Sequence, residues 1–269
     1  MTEFLAGAES GVLYGALALY FAAAALYFLF AVAKGQKMGR LGWNAAVAAF
    51  ALQTLCLAAR GVRAGHLPFT SQYEFALSFA WGIALCFLIF ERRFEMPVLG
   101  AFVCPLCFLI IGYAAMQSRE VRELMPALQS RWLAFHVSTA IVSYGAFGVA
   151  FAVALAMLFG GKLTGRRANE EKMDLLIYRA IALGFLFLTL CIVTGAIWAK
   201  RAWGTYWNWD PKETWSLITW IIYAVFLHLR LSKGFGGRKA AVFAVVGFAC
   251  VIFTYIGVNT LLTGLHSYA

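Results

Sequence analysis

Apolar residues in this chain gather into long blocks, separated by short polar stretches that hold most of the charge. A helix that crosses a bilayer needs about 20 mostly apolar residues, because the hydrocarbon core is ~30 Å thick and each residue rises ~1.5 Å. Read against that length, the pattern predicts eight spans, at approximately 10–33, 42–60, 72–92, 96–116, 132–159, 174–199, 212–231 and 238–259. Their connections are short, no internal repeat stands out, and no polar stretch is long enough for a soluble domain. The expected architecture is an all-α, polytopic membrane helix bundle of about eight transmembrane helices, formed by residues 1–269 as a single transmembrane domain.

Composition agrees: 63% of the 269 residues are hydrophobic and 13% are charged, against about 45–50% and about 25% in soluble domains. The start, Met1–Gly11, lacks the basic stretch of a cleaved signal peptide, so the first span is expected to be retained. A net charge of +10 raises nucleic acid as a partner, but no basic, aromatic-interleaved surface domain is present to bind one. Lys/Arg bias between connections explains the charge instead. Lys34, Lys37, Arg40, Arg92, Arg93, Lys162, Arg166, Arg167, Lys172, Arg230, Lys233, Arg238 and Lys239 fall on one side. They outnumber Arg60, Arg63, Arg119, Arg122, Arg131, Lys200, Arg201 and Lys212 on the other, which predicts both termini outside. The six cysteines all fall in apolar segments. Cys104 and Cys107 have CxxC spacing, yet no histidine or charge lies beside them to activate a thiol, so they read as packing residues. No CxxCH occurs, so the chain is not itself a c-type cytochrome.

The most informative stretch runs from Trp198 to Trp220 and holds Trp198, Trp203, Trp207, Trp209, Trp215 and Trp220, six of the nine tryptophans. An interfacial aromatic belt would spread its tryptophans over all helix ends, whereas Trp203, Trp207 and Trp209 crowd into one predicted external loop at about 200–213. Flat aromatic faces near the interface suit a flat, largely apolar ligand such as haem. A helix start follows the loop, with Asp210 as N-cap, Pro211 in the first helical position and Glu213 completing a capping box. A structural role for Asp210 and Glu213 is therefore at least as well supported as ligand contact.

The run Trp203-Gly204-Thr205-Tyr206-Trp207-Asn208-Trp209-Asp210-Pro211-Lys212-Glu213-Thr214-Trp215 resembles the WWD motif of haem-handling cytochrome c assembly proteins. Its Pro-Lys-Glu-Thr-Trp continuation is most similar to the CcsA (ResC) branch of system II. The resemblance covers most of the chain and is strongest from about residue 130 onward. His66-Leu67-Pro68-Phe69-Thr70-Ser71-Gln72-Tyr73-Glu74 is a weaker echo of that family's Pro…Tyr-Glu segment, with Ser71 where Asn is common. The resemblance implies a haem transport and presentation subunit of a cytochrome c synthase (a holocytochrome c synthase, or haem lyase, complex). Haem b in transit would cross the bacterial plasma membrane and be held outside for thioether attachment to the CxxCH of an apocytochrome c. A CcsB (ResB)-like membrane subunit with a large external domain is the implied partner. Trp203, Trp207, Trp209, Asp210 and Trp215 become the expected haem-binding residues.

Only four histidines exist. His136 lies about one turn inside the predicted outer end of the fifth span, and His266 lies a few residues past the eighth. They flank the tryptophan loop in sequence, which suits a bis-His external haem site and resembles the pair of external histidines that the family uses. His228 lies 18 residues beyond Asp210, ~27 Å along a helix, so it cannot share an iron with them. An ionisable residue inside a span is a functional candidate, although Arg230 nearby makes an ordinary interface residue the alternative. The resemblance implies that His228 serves an inner haem site, its other ligand coming from the partner. His66 reads as a solvated loop residue. Arg60, Arg63, Arg131, Lys200, Arg201 and Lys212 are candidates for pairing with haem propionates, with Arg131, Lys200, Arg201 and Lys212 nearest the loop. Two rival functions share the sequence features: a CcmC-like exporter that loads haem onto a chaperone, and a HemX-type regulatory membrane protein in which the histidines are dispensable. The Lys212-Glu213-Thr214 continuation and the number of spans argue against the exporter.

Overall fold

The computed structural model describes residues 2–33, 35–121, 123–164 and 169–266, with side chains described from residue 7 onward and not for 162–164. Of the basic residues in the charge bias, Lys34, Arg122, Arg166 and Arg167 lie outside the described residues, and Lys162 is described in backbone only. The described chain is helical, with eight helices long and apolar enough to cross a membrane. They are α1 (Thr2–Ala33), α2 (Gln36–Ala64), α3 (Gln72–Phe94), α4 (Gly100–Ala115), α5 (Arg131–Thr164), α6 (Glu170–Trp203), α7 (Pro211–Lys233) and α8 (Arg238–Ile252). A single 3₁₀ turn, Pro97–Leu99, leads into α4, and α8 continues through a π turn, Phe253–Gly257, into a last turn at Val258–Leu261. The eight spans expected from the hydrophobic blocks are therefore present.

The helices divide into two compact units, residues 1–123 with 160–166, and residues 124–159 with 167–269. The first unit contains α1–α4. Its interior is sealed by tyrosines: Tyr20, Tyr27 and Tyr73 are all fully buried. Each spends its hydroxyl on a polar partner, as a bilayer demands of buried groups. Tyr20 donates to Gln53 Oε1 (2.7 Å), Tyr27 to Glu91 Oε2 (2.8 Å) and Tyr73 to Glu9 Oε1 (2.9 Å). Cys104 and Cys107 are buried free thiols in α4, with Cys107 Sγ donating to Ala80 O at 3.8 Å.

The connection between α2 and α3 departs from its expected role. Arg60, a candidate for a haem propionate, is 1% exposed: its guanidinium lies 2.8 Å from the Glu74 carboxylate and donates to Arg119 O and Glu120 O. Arg63 pairs with Glu9 at 2.9 Å. A charge taken out of water must be paired, and Glu9 and Glu74 supply the pairing from α1 and α3. Both arginines are thus committed to holding the unit together. Ser71 is the N-cap of α3 and accepts from Glu74 N–H at 3.2 Å. Asn caps as well as Ser does, so the sequence difference at 71 preserves the function of the position. His66 is half-buried, its Nδ1 2.9 Å from Leu67 O.

The second unit contains α5–α8. Phe147 of α5 stacks on Tyr223 of α7, with centroids 3.9 Å apart and planes 10° apart, and Phe151 stacks on Phe248 of α8 at 4.7 Å. At one end, Asp174 pairs with Arg230 at 2.5 Å and accepts from Gly237 N–H at 2.6 Å, fixing the α7–α8 turn. The tryptophan-rich segment occupies the opposite end, where α6 finishes and α7 begins.

Candidate functional site

Local chemistry sets the loop between α6 and α7. Gly204, with φ at 85°, ends α6 in the left-handed conformation that glycine adopts without strain. Lys200 Nζ donates to Gly204 O at 2.6 Å. At the other side the expected capping box is formed. Asp210 Oδ2 accepts from Lys212 N–H at 3.0 Å, and Glu213 Oε2 accepts in return from Asp210 N–H (3.1 Å) and Asn208 N–H (2.8 Å). Between these anchors Trp209 is held at a φ of 57°, a costly conformation for a bulky residue, and it projects into the surroundings with 69% of its surface exposed. Trp207 meets it edge to face at 5.7 Å.

Asp210 does more than cap. It is 5% exposed, and its second oxygen accepts from Leu265 N–H at 2.5 Å. The first also lies 2.7 Å from His266 Nδ1. Burial raises the carboxyl group's pKa, but the hydrogen bond and charge of His266, with the amides of Lys212 and Leu265, outweigh it and hold the group below its ordinary value. An ionised carboxylate can only accept, so Nδ1 of His266 is the donor, and in the neutral imidazole Nε2 is left as the nitrogen with the lone pair. Lys212 Nζ donates to His266 O at 3.4 Å, a second tie on the same segment. Any side chain at Gly264 would run into the Asp210 carboxylate, so glycine is what lets the chain pass this close.

His136 reaches the same state by another route. Its Nδ1 lies 2.8 Å from the backbone oxygen of Cys191 on α6. A carbonyl has no proton to give, so Nδ1 is the donor and Nε2 again holds the lone pair. The contact depends on Gly195, one turn further along α6, where an added Cβ would stand 2.7 Å from His136 Nδ1.

Trp198 joins the two histidines. It is 1% exposed, anchored by Nε1–H donation to Ala127 O at 2.9 Å. It stacks on His136 with centroids 6.1 Å apart and planes 14° apart, and lies 5.7 Å from His266. Trp203 meets His266 edge to face at 4.8 Å. The structure thus gathers His136, His266, Trp198, Trp203, Asp210 and Lys212 into one cluster. Trp207, half-buried, and Trp209, exposed, form a separate pair beside it. Trp215 packs on Phe253 at 4.2 Å, in the π turn through which α8 leads toward His266. His228 is exposed near the far end of α7, apart from this cluster. Arg131 and Arg201 are exposed at the ends of α5 and α6 and line a cleft of about 410 Å³. Trp198, Gly195 and Gly264 were not singled out from sequence. The only sequence signals were that Trp198 opens the tryptophan run and Gly195 precedes it by three residues, on nearly the same helix face.

Among the described residues no group of three or more His, Cys, Asp or Glu is placed to hold a metal ion. Two imidazoles whose Nδ1 atoms are already engaged, beside Trp198 and Trp203, instead suit a metal that brings its own equatorial ligands.

A profile of the family described as cytochrome c assembly protein matches residues 69–266. The chain is 39% identical to the cytochrome c biogenesis protein CcsA of Prochlorococcus marinus (strain MIT 9301), over 81% of each chain. It is 38% identical to that of Parasynechococcus marenigrum (strain WH8102), covering 96% of this chain and 95% of the relative. To the CcsA of Chlamydomonas reinhardtii it is 40% identical, over 81% of this chain and 65% of the other. Among solved structures, the cytochrome c heme lyase CcmF shares the fold with a TM-score of 0.73 at 19% identity. That match covers 97% of this chain and 47% of the other, so the chain spans about half the length of that protein.

Proposed function

This chain belongs to the cytochrome c assembly protein family, and we propose that it carries haem b across the membrane and holds it outside, between His136 and His266, for attachment to apocytochrome c. The observation that carries this reading is the matched arrangement of the two rings: both commit Nδ1 to an oxygen acceptor, which leaves Nε2 of the neutral imidazole as the nitrogen for a metal. That is the arrangement of metal-bound histidines with a supporting acceptor behind them. Haem fits the donor set, since its porphyrin fills four positions and leaves two axial ones for imidazole.

In this reading Asp210 and the Cys191 carbonyl orient the ligands, Trp198 and Trp203 wall the site, and Trp207 and Trp209 meet the exposed edge of the ring. Trp215 acts through Phe253 by fixing how α8 leads to the His266 segment. Haem supplies two vinyl groups, and each cysteine S–H of the CxxCH adds across one of them, sulfur to one carbon and hydrogen to the other. No side chain of the cluster is a nucleophile for that addition, so the contribution of this chain is positioning. His228 is assigned to an inner site where haem enters, completed by a CcsB (ResB)-like subunit. Residues 1–269 act as one transmembrane domain in the bacterial plasma membrane, with both termini and the WWD loop on the outer side.

The test is the absorption spectrum of the detergent-purified protein beside His136→Ala, His266→Ala and His228→Ala. The reading expects co-purified low-spin haem, perturbed by each of the first two substitutions, and a separate loss of inner haem in the third. Preparations without haem, even with the partner co-expressed, would sink it in favour of a regulatory role.

A further inference from the structure

α7 carries an aromatic residue that the tryptophan loop does not account for. Trp220 lies ten residues beyond Asp210, about 15 Å along the helix, which is half of the ~30 Å hydrocarbon core. An interfacial belt holds its tryptophans at the two ends of a span, so a belt does not explain an indole at mid-depth. Nor is Trp220 a core residue, since it is only half-buried. Among the described residues α7 is the span least enclosed by the others, with 17% of its apolar window buried.

The indole is nevertheless held in one orientation. Trp220 Nε1–H donates to Thr189 Oγ1 on α6 at 2.9 Å, and the Thr189 hydroxyl donates in turn to Phe185 O, also at 2.9 Å. The Phe185 ring backs the indole, with centroids 5.1 Å apart and planes 32° apart. With its N–H spent, the side chain has a flat apolar face left to offer. Ala224 and His228 follow Trp220 at i+4 and i+8, along one strip of the helix. Ala224 is half-buried and His228 is exposed. Helical side chains lean toward the N-terminal end of their helix, so an imidazole at 228 leans over the turn of Ala224, in the direction of Trp220. Alanine, with no side chain beyond Cβ, leaves that turn flat.

We propose that Trp220, fixed by Thr189, is the seat of haem at the inner site: haem bound to His228 lies along α7 over Ala224, with its ring edge against the indole. The proposal rests on the assignment of His228 to an inner haem site and adds the wall that orients haem there. A single axial bond leaves haem free to turn about it, and contact with an immobile aromatic face removes that freedom. The same contact places the ring on the side of His228 that faces the tryptophan loop, the direction in which haem has to move. An imidazole exposed within a span is a costly polar group, and ligation under a largely apolar ring gives it a partner and a cover together.

The experiment uses the full-length protein, co-purified with its partner subunit, in a His136→Ala/His266→Ala parent where His228 is the one assigned iron ligand left in this chain. Haem loss to excess apomyoglobin is timed, and the circular dichroism of the main haem band, which responds to nearby aromatic rings, is recorded beside its absorption. Trp220→Leu should speed haem loss by about threefold to tenfold, the scale of one aromatic contact. It should also change the dichroism while the absorption spectrum, set by ligation, is kept. Ala224→Leu puts a good helix former and added bulk on the seat itself. It should lower inner haem occupancy without lowering the thermal stability of the haem-free protein, and it decides the matter if Trp220→Leu does not fold. Parent-like haem loss and dichroism in Trp220→Leu, or parent-like occupancy in Ala224→Leu, overturns the seat. Failure of the underlying reading looks different: the parent would hold no haem, or His228→Ala in the same background would hold it as the parent does.

Discussion

Gly195→Ala isolates the supporting contact of one axial ligand without touching the ligand. In α6 an alanine is intrinsically favoured over glycine by up to about 1 kcal/mol, so backbone propensity predicts no harm. The new Cβ, however, would stand 2.7 Å from His136 Nδ1 and 2.8 Å from Cε1, where 3.4 Å is an ordinary contact. The ring must therefore retreat by the difference, about 0.7 Å. Taken along the hydrogen bond to Cys191 O, that stretches 2.8 Å to about 3.5 Å, past the range in which an N–H···O bond holds. Metal–nitrogen bonds tolerate only ~0.2 Å, and loss of a supporting acceptor typically lowers metal affinity by about 10–100-fold, or about 1.4–2.7 kcal/mol. Haem titration followed at the main absorption band measures it. Gly112→Ala in α4 serves as control, because an added Cβ there meets nothing within 4 Å. Wild-type affinity and spectrum in Gly195→Ala would refute the argument that His136 is held in place for a metal.

Three further outcomes follow from the same geometry. Asp210→Asn keeps an N-cap residue but replaces the ionised acceptor behind His266 with a neutral one. Haem affinity should fall by about tenfold and the midpoint potential rise, and a redox titration that finds neither contradicts the Asp210–His266 pairing. Trp209→Gly relieves a left-handed φ of 57° at a residue 69% exposed, so thermal stability without haem should hold or improve, by roughly 1 kcal/mol, while haem binding weakens. A clear fall in apo stability would show that the strain is not there. Arg60→Leu leaves Glu74 buried without its partner, at a cost of about 3–5 kcal/mol. Thermal denaturation should place Arg60→Leu/Glu74→Leu nearer to wild type than either single variant, and an additive double variant would refute the pairing.

What the sequence made legible was governed by local rules. The eight spans follow from runs of apolar residues, and the cap at Asp210, Pro211 and Glu213 follows from residues within one turn of each other. What it hid depends on contacts between residues far apart along the chain. Arg60 looks like a candidate for a haem propionate until Glu74 of α3 and the backbone at Arg119 and Glu120 close around it. Asp210 satisfies the N-cap pattern so well that its hold on His266, 56 residues later, leaves no trace in the pattern. Gly195 is one of 25 glycines, and only the approach of His136 from another helix makes it special. The left-handed Trp209 defies prediction for a different reason: local preference opposes it, and Glu213, accepting from the amides on both sides, overrides that preference.

The central claim is that one iron is shared by His136 and His266. The most direct measurement is the electron paramagnetic resonance spectrum of the ferric, haem-loaded protein, recorded for wild type, His136→Gly and His266→Gly with and without added imidazole. The account predicts a low-spin bis-imidazole signal in wild type, its conversion in each single variant, and its return when imidazole refills the vacated position. A low-spin bis-imidazole signal that persists unchanged in either variant without imidazole would contradict it.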